Sequence, residues 1–364
     1  YIREMYERHC ATLDLSAEAT SRQAHFIHFH GYLKELAHCF PETARAWSDL
    51  TRSVYWDPAD SRAADGGPNT AAMVRIARDA LDLFEARRKP HNYDAILVDE
   101  GQDWDPDWWP IVTESLASGG ECLLVSDLTQ DLYDRSGSWT NDTLITKGFR
   151  GAPATLGRSY RLHPRLAAAL ADFVSAAFGA EGLPPVARQE TLDLGLEPTL
   201  RWVRTRPDRL LQAAAIEVAE AHRRIRAVDP LAIPDIFFSV GDHEAGTQVA
   251  VKLEEMGFDI QDVFETHDFI IDIQKKLDFG GSLDAIKGTT VHSIKGWESR
   301  AVVAVFQYEN MSQRQRLSSL RRLYVAMSRL KSFAKGSLLT VISDSDEWAK
   351  FFETRGFTVE CHDG

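Results

Sequence analysis

The 364-residue chain has only four cysteines, Cys10, Cys39, Cys122 and Cys361, scattered with no Cys-x-x-Cys pair. That excludes a disulfide framework and the usual thiolate zinc spacings, and it makes a reducing, cytoplasmic setting the expectation. No apolar run is long enough to cross a bilayer and no charged-then-apolar leader opens the chain, so no membrane partner is expected. Glycine (23) and proline (14) are near average, and there is no repeat or low-complexity tract, so disorder and solenoid architectures are set aside. An excess of basic charge is also lacking: the formal net charge is −13, which excludes coating nucleic acid with the whole surface and leaves room only for a local groove.

What is present is a large apolar fraction, 44%, enough for two cores. Tyr1 to Cys39 reads as helical, broken by Phe26-Ile27-His28-Phe29-His30. Pro41 to Pro68 reads as an irregular or helical insertion. Between Asn69 and Arg88 the apolar residues Met73, Ile76, Ala77, Ala80, Leu81 and Phe84 recur at the spacing of one helix face. Tyr93 to Val98 is a short apolar run closing on Asp99 and Glu100, and Cys122 to Ser126 is another closing on Asp127. Runs of this kind read as buried parallel strands, and ligands bind at the carboxyl ends of such strands. A helix over Trp108 to Leu116 is expected between them.

After a Gly/Pro turn at Gly148 to Pro153, strand and helix signals alternate again. Strands are expected at Leu200–Val203, Ile236–Val240, Thr289–His292, Ala301–Phe306 and Ser337–Ile342. Helices are expected at Arg209–Arg226, Glu244–Met256 and Leu320–Leu330. The alternation predicts a second α/β domain.

Asp99-Glu100-Gly101-Gln102-Asp103 is the segment richest in chemistry. A carboxylate at a strand end can hold Mg²⁺ beside a triphosphate, and its neighbour can polarise a water; an acidic loop closing a strand is the plain alternative. Four segments follow in order: Ser126-Asp127-Leu128-Thr129-Gln130-Asp131-Leu132-Tyr133; Leu156-Gly157-Arg158-Ser159-Tyr160-Arg161; Thr290-Val291-His292-Ser293-Ile294-Lys295-Gly296-Trp297-Glu298; and Arg321-Arg322-Leu323-Tyr324-Val325-Ala326-Met327-Ser328-Arg329. The succession resembles motifs II to VI of UvrD/Rep-like superfamily 1 helicases. Phe26 to Leu33 resembles the short segment that precedes motif II there.

The resemblance implies an α/β fold of two RecA-like parallel-sheet domains. Residues 1–152 would be the remainder of the first ATPase domain, with 41–90 a small helical insertion, and 153–364 the second. It implies ATP and Mg²⁺ as cofactors, single-stranded nucleic acid (DNA before RNA) as partner, and 3′ to 5′ movement. By the same resemblance Asp99 holds Mg²⁺, Glu100 is the general base, and Gln102 and Gln130 sense the γ-phosphate. Tyr160 stacks on adenine, Glu298 bonds the ribose, and Arg161 and Arg329 are arginine fingers. Tyr133, His292 and Lys295 face the nucleic acid.

Three departures accompany the resemblance. Arg135 stands where the family often has a stacking Trp, the nearest here being Trp139. The span Leu166 to Lys287 has no room for the large insertion of bigger members, so translocation or remodelling is expected before strong unwinding. No Gly-x-x-x-x-Gly-Lys-[Ser/Thr] occurs. The expectation is that the phosphate-binding loop lies on an N-terminal region outside this chain or on a partner subunit; a non-hydrolysing binding module on a helicase scaffold is the alternative. Plain readings stay open for Tyr160 as a core aromatic, Lys295-Gly296 as a turn, and Arg321-Arg322 as a solvated helix face. His25, His28 and His30 read as packing or groove residues before they read as a metal site.

Overall fold

The computed structural model describes residues 24–56, 68–88, 92–126, 141–150, 154, 162–179, 197–229, 235–266, 271, 275, 279, 285–291, 293–294 and 297–362. The chain divides into two compact units, one of residues 1–127 and 133–152, the other of residues 128–132 and 153–364.

In the first unit, three helices form a small bundle: α1 (Phe29–His38), α2 (Pro41–Trp56) and α3 (Pro68–Ala86). The periodic apolar residues meet in one core, with Leu33, Leu36 and Phe40 against Trp47, Ile76, Ala77 and Ala80. The insertion expected over Pro41–Pro68 is thus helical as far as Trp56. Strand β1 (Tyr93–Val98) pairs in parallel with β2 (Leu116–Leu124), in register from Ala95↔Glu121 to Val98↔Leu124. The intervening helix is shorter than expected: a 3-10 turn at Pro106–Trp108, then α4 (Trp109–Glu114). It ends at Glu114, with Ser115 as its C-cap, and β2 begins at the next residue. The short α5 (Asn141–Thr146) follows. One face of β1–β2, with Val98, Ile96, Cys122 and Leu124, packs on Trp109 and Val112. The other is bare: Leu97 is 73% exposed and Leu123 54%.

The second unit holds a seven-stranded sheet, every pair parallel, in the order β5-β6-β4-β7-β8-β3-β9. Its strands are β3 (Thr199–Thr205), β4 (Ile236–Val240), β5 (Ile260–Asp262), β6 (Ile286–Thr290), β7 (Ala301–Phe306), β8 (Leu338–Ser343) and β9 (Thr358–His362). Successive side chains go to opposite faces, so Trp202 and Phe237 enter one core while Val203 and Phe238 enter the other. Helices α6 (Pro164–Phe178), α9 (Gln313–Met327) and α10 (Asp346–Glu353) cover the first face. Helices α7 (Leu210–Val228) and α8 (His243–Glu255) cover the second. Burial on both faces explains the nearly uninterrupted apolar runs of β4, β7 and β8.

Most boundaries of the second unit shift by a residue or two, and in the first unit β2 starts at Leu116, well before the expected Cys122; the larger shifts in the second unit are these. The strand expected at Thr289–His292 runs instead over Ile286–Thr290, because Lys287 and Gly288 pair with both β4 and β5 and Ile286 pairs with Ile260 of β5. The helix expected from Leu320 starts at Gln313, where Ser312 and Gln315 form a reciprocal capping box. It ends at Met327, three residues before the expected Leu330, which bridges to Ser299. The fold class is α/β with parallel sheets, as expected.

Candidate functional site: the acid loop and the Glu298–Arg329 corner

The acid loop sits at the carboxyl end of β1. Val98, the last strand residue, accepts from Val125 N at 2.8 Å, and Gly101 N donates to Val125 O at 2.8 Å, so the loop is stitched to the end of β2. Between those bonds the chain must reverse, and Glu100 does so with a left-handed backbone, φ 53° and ψ 41°. A non-glycine residue held there costs on the order of 1 kcal/mol or more, and such strain collects at functional sites. Gly101 is required by close approach: a Cβ there would lie 2.5 Å from Leu124 Cδ1.

This turn separates the two acids by environment. Asp99 is exposed, and one carboxylate oxygen accepts from Glu100 N at 2.9 Å. Glu100 is half-buried, and its carboxylate accepts a hydrogen bond from the side-chain amide of Gln102, itself fully buried. Gln102, expected at a γ-phosphate, thus orients Glu100 here. Among the described residues no group of three or more His, Cys, Asp or Glu gathers into a cage. A single exposed carboxylate suits Mg²⁺, which keeps most of its waters and takes one or two carboxylates.

A second corner forms in the second unit. Ser299 N donates to Arg329 O at 3.0 Å and Lys331 N to Ser299 O at 2.9 Å, so the stretch around Glu298 runs beside the end of α9. Glu298 lies 3.5 Å from the Lys331 ammonium. Arg329 is 2% exposed; its guanidinium donates to Val325 O at 3.1 Å and to Ser328 Oγ at 2.9 Å. Both Glu298 and Arg329 make further interactions. As placed, the Arg329 guanidinium is held against its own helix, and reaching a nucleotide requires it to exchange those bonds. Asp99, Glu100 and Gln102 are therefore brought together, as are Glu298 and Arg329. Gln130, Tyr133, Tyr160, Arg161, His292 and Lys295 lie outside the described residues.

Two arrangements escaped the sequence reading. Phe29 stacks on Trp108 at 4.8 Å and packs on Trp104 at 4.5 Å, which joins the Phe26–Leu33 segment to the loop just after the acids. The three tryptophans at 104, 108 and 109 were the available signal. In the second unit, buried Arg201 makes bonds to both Glu217 and Glu360. Burial alone would lower its pKa, and the bonds from these two carboxylates outweigh that and hold it raised. The partners are 16 and 159 residues away, so no local pattern announces them.

No family profile matches this chain, and no curated protein matches it. Among solved structures, it is similar to the C-terminal domain of a possible DNA helicase from Lactobacillus plantarum WCFS1, at 16% identity and a TM-score of 0.34, covering 55% of this chain and 98% of that one. It is also similar to Saccharomyces cerevisiae Dbp5 in complex with Gle1 and IP6, at 11% identity and TM-score 0.42, over 78% of this chain and 62% of that one. Dbp5 with Nup159, Gle1, IP6 and ADP compares at 10% identity and TM-score 0.41, over 78% and 64%. The chain spans less than two thirds of both Dbp5 chains. At these identities and scores the likenesses add nothing to the parallel α/β architecture already described.

Proposed function

We propose that this chain is the greater part of an ATP-driven superfamily 1 motor of the UvrD/Rep kind, which moves on single-stranded nucleic acid. The observation that carries the reading is the Asp99–Glu100 pair at the carboxyl end of a parallel strand, with Glu100 held in a left-handed turn and oriented by Gln102. The ordered motifs downstream support it.

In this reading the exposed Asp99 carboxylate would hold Mg²⁺, which when bound would supply charge neutralisation at the phosphates. Glu100 accepts a proton from the attacking water, and the Gln102 amide keeps its carboxylate aimed. Phosphoryl transfer is mostly positioning and charge compensation, and an arginine delivered to the γ-phosphate accelerates it by ~10³–10⁵-fold. Arg329 and Arg161 are assigned that part. Glu298 takes the ribose and Tyr160 the adenine; His292, Lys295 and Tyr133 take the strand. The phosphate-binding loop belongs to a region or subunit outside this chain.

The test is Glu100→Gln in the protein carrying the phosphate-binding loop. The amide keeps shape and loses the base, so nucleotide binding stays near wild type while turnover falls by about 10²–10⁴-fold. Near-normal turnover in steady-state ATPase assays overturns the assignment. A second reading, a non-hydrolysing nucleic-acid-binding or regulatory module on a helicase scaffold, is favoured by the burial of Arg329 in bonds to its own helix. It predicts that Arg329→Ala leaves hydrolysis at its already negligible level and alters only thermal stability.

A further inference from the structure

An open groove lies on the second unit, between the end of α6 and the first half of α9. Ala177 supplies one wall, and Gln313, Arg316, Leu317 and Leu320 the other, with Met311 and Tyr308 at the head. The α9 residues follow i, i+3, i+4 and i+7 and so form one continuous helix face. Leu317 on that face is 38% exposed, and Met311 is half-buried. Unbranched, polarizable methionine is common where a surface must accept another molecule.

The charge of this wall is as informative as its shape. Arg316 is the one charged residue among the described residues that line the groove, and helix α9 as a whole carries no acidic residue, in a chain of net charge −13. The Arg316 guanidinium lies over the Tyr308 ring, 4.8 Å from its centroid, and its Nε is buried with no acceptor. No carboxylate of the described residues lies within ion-pair distance of it. The neighbouring Asp344 is already engaged, its two oxygens accepting from Tyr308 N at 2.8 Å and Glu309 N at 3.3 Å. A buried guanidinium N–H without an acceptor is costly unless something arrives to take it.

We propose that this groove docks an acidic, leucine-bearing helical segment of a partner protein. Its carboxylate pairs with Arg316, and an apolar side chain one turn away seats between Ala177, Leu317 and Leu320. A single strand of nucleic acid fits the groove less well. Among the described lining residues the one aromatic ring, Tyr308, is 9% exposed and already covered by Arg316, so it offers no free face for a base to stack on. The proposal stands apart from the ATPase reading, because none of the described residues that line the groove is assigned to nucleotide or track.

The experiment is fluorescence anisotropy with a labelled amphipathic peptide of about 12 residues bearing Glu and Leu on one helical face. Three comparison probes accompany it: the same peptide with Lys for Glu, the same with Ala for Leu, and an oligo(dT) strand. Saturable binding of the Glu/Leu peptide is expected, weakened by about tenfold or more in Arg316→Glu and in Leu317→Asp. Arg316→Glu should gain affinity for the Lys peptide, a reversal that misfolding cannot produce. Arg314→Glu, on another face of α9, should change binding by less than about threefold. Circular dichroism melts check that each variant folds, with Arg316→Gln standing in for Arg316→Glu where needed. Equal binding of the Glu and Lys peptides overturns the proposal. So does oligo(dT) binding that Arg316→Glu abolishes, or a self-associated form in sedimentation that Arg316→Glu dissolves.

Discussion

The two units solve the same problem to different extents. In the second, seven parallel strands carry helices on both faces, and Val302, Val303, Leu339 and Val341 are inaccessible. In the first, two parallel strands are covered on one face, and the other presents Leu97, Leu123 and Val125 to solvent. Yet the strained acid pair is on the half-covered sheet. The contrast teaches that the geometry of the acid loop is set by local bonding, the stitches from Val98 and Gly101 to Val125, and does not need a sheet covered on both faces.

The sharpest way to break that comparison is Arg201→Ala. It leaves Glu217, 2% exposed, without the guanidinium that neutralises it and with the His362 imidazole at 3.5 Å as its other contact, and removing one partner of a buried ion pair costs about 3–5 kcal/mol. The expected outcome is a large drop in the denaturation midpoint of the second unit, with the first unit's transition unmoved. Coincident loss of both transitions would show that the units unfold as one.

Next is a matched pair of leucines. Leu339→Ala on β8, at 0% exposure, is expected to cost about 2–5 kcal/mol. Leu97→Ala on β1, at 73% exposure, is expected to stay within about 0.5 kcal/mol. Comparable losses at both positions, measured by urea unfolding, would mean that something covers β1 in solution.

A smaller effect tests the acid loop. Gly101→Ala forces Leu124 aside and is expected to cost about 1–3 kcal/mol of the first unit's stability. The same substitution disturbs the turn that positions Glu100, so activity should fall further than stability alone explains. An unaltered melt would show that Leu124 yields freely.

The mildest expectation concerns pH. The hydrogen bond from Arg201 holds the Glu360 carboxyl below its usual value of 4.5. A lowered folded pKa contributes stability that is present above the unfolded value and is lost as pH falls through the folded one. The second unit should therefore weaken below about pH 4.5 more in wild type than in Glu360→Gln, followed by acid titration of tryptophan fluorescence. In the first unit, burial pushes the Cys122 thiol up to about 11, so it should alkylate far more slowly at pH 8 than exposed Cys361.

Much of the fold was legible because the apolar spacing of α3, β4 and β7 is strong and uninterrupted. Two boundaries moved for a reason the structure shows. The Ser312–Gln315 box started α9 seven residues before the apolar pattern did, and Gly288 joined β6 because both neighbouring strands offered it partners. For the acid loop, residue types and order announced chemistry, but not that Gln102 would turn inward onto Glu100. Nor did they announce that Arg329 would be packed against Val325 and Ser328.

By itself the sequence determined the alternation of strands and helices, the parallel α/β class, and the placing of Asp99 and Glu100 at a strand end, since these follow from local periodicity and from where an apolar run stops. Only the tertiary structure decided strand order, the joining of Arg201 to Glu217 and Glu360, the stacking of Phe29 on Trp108, and which face of β1–β2 lies bare. The physical reason is that those outcomes depend on interactions between residues far apart in the chain, whose energies appear only once both partners have lost their water together.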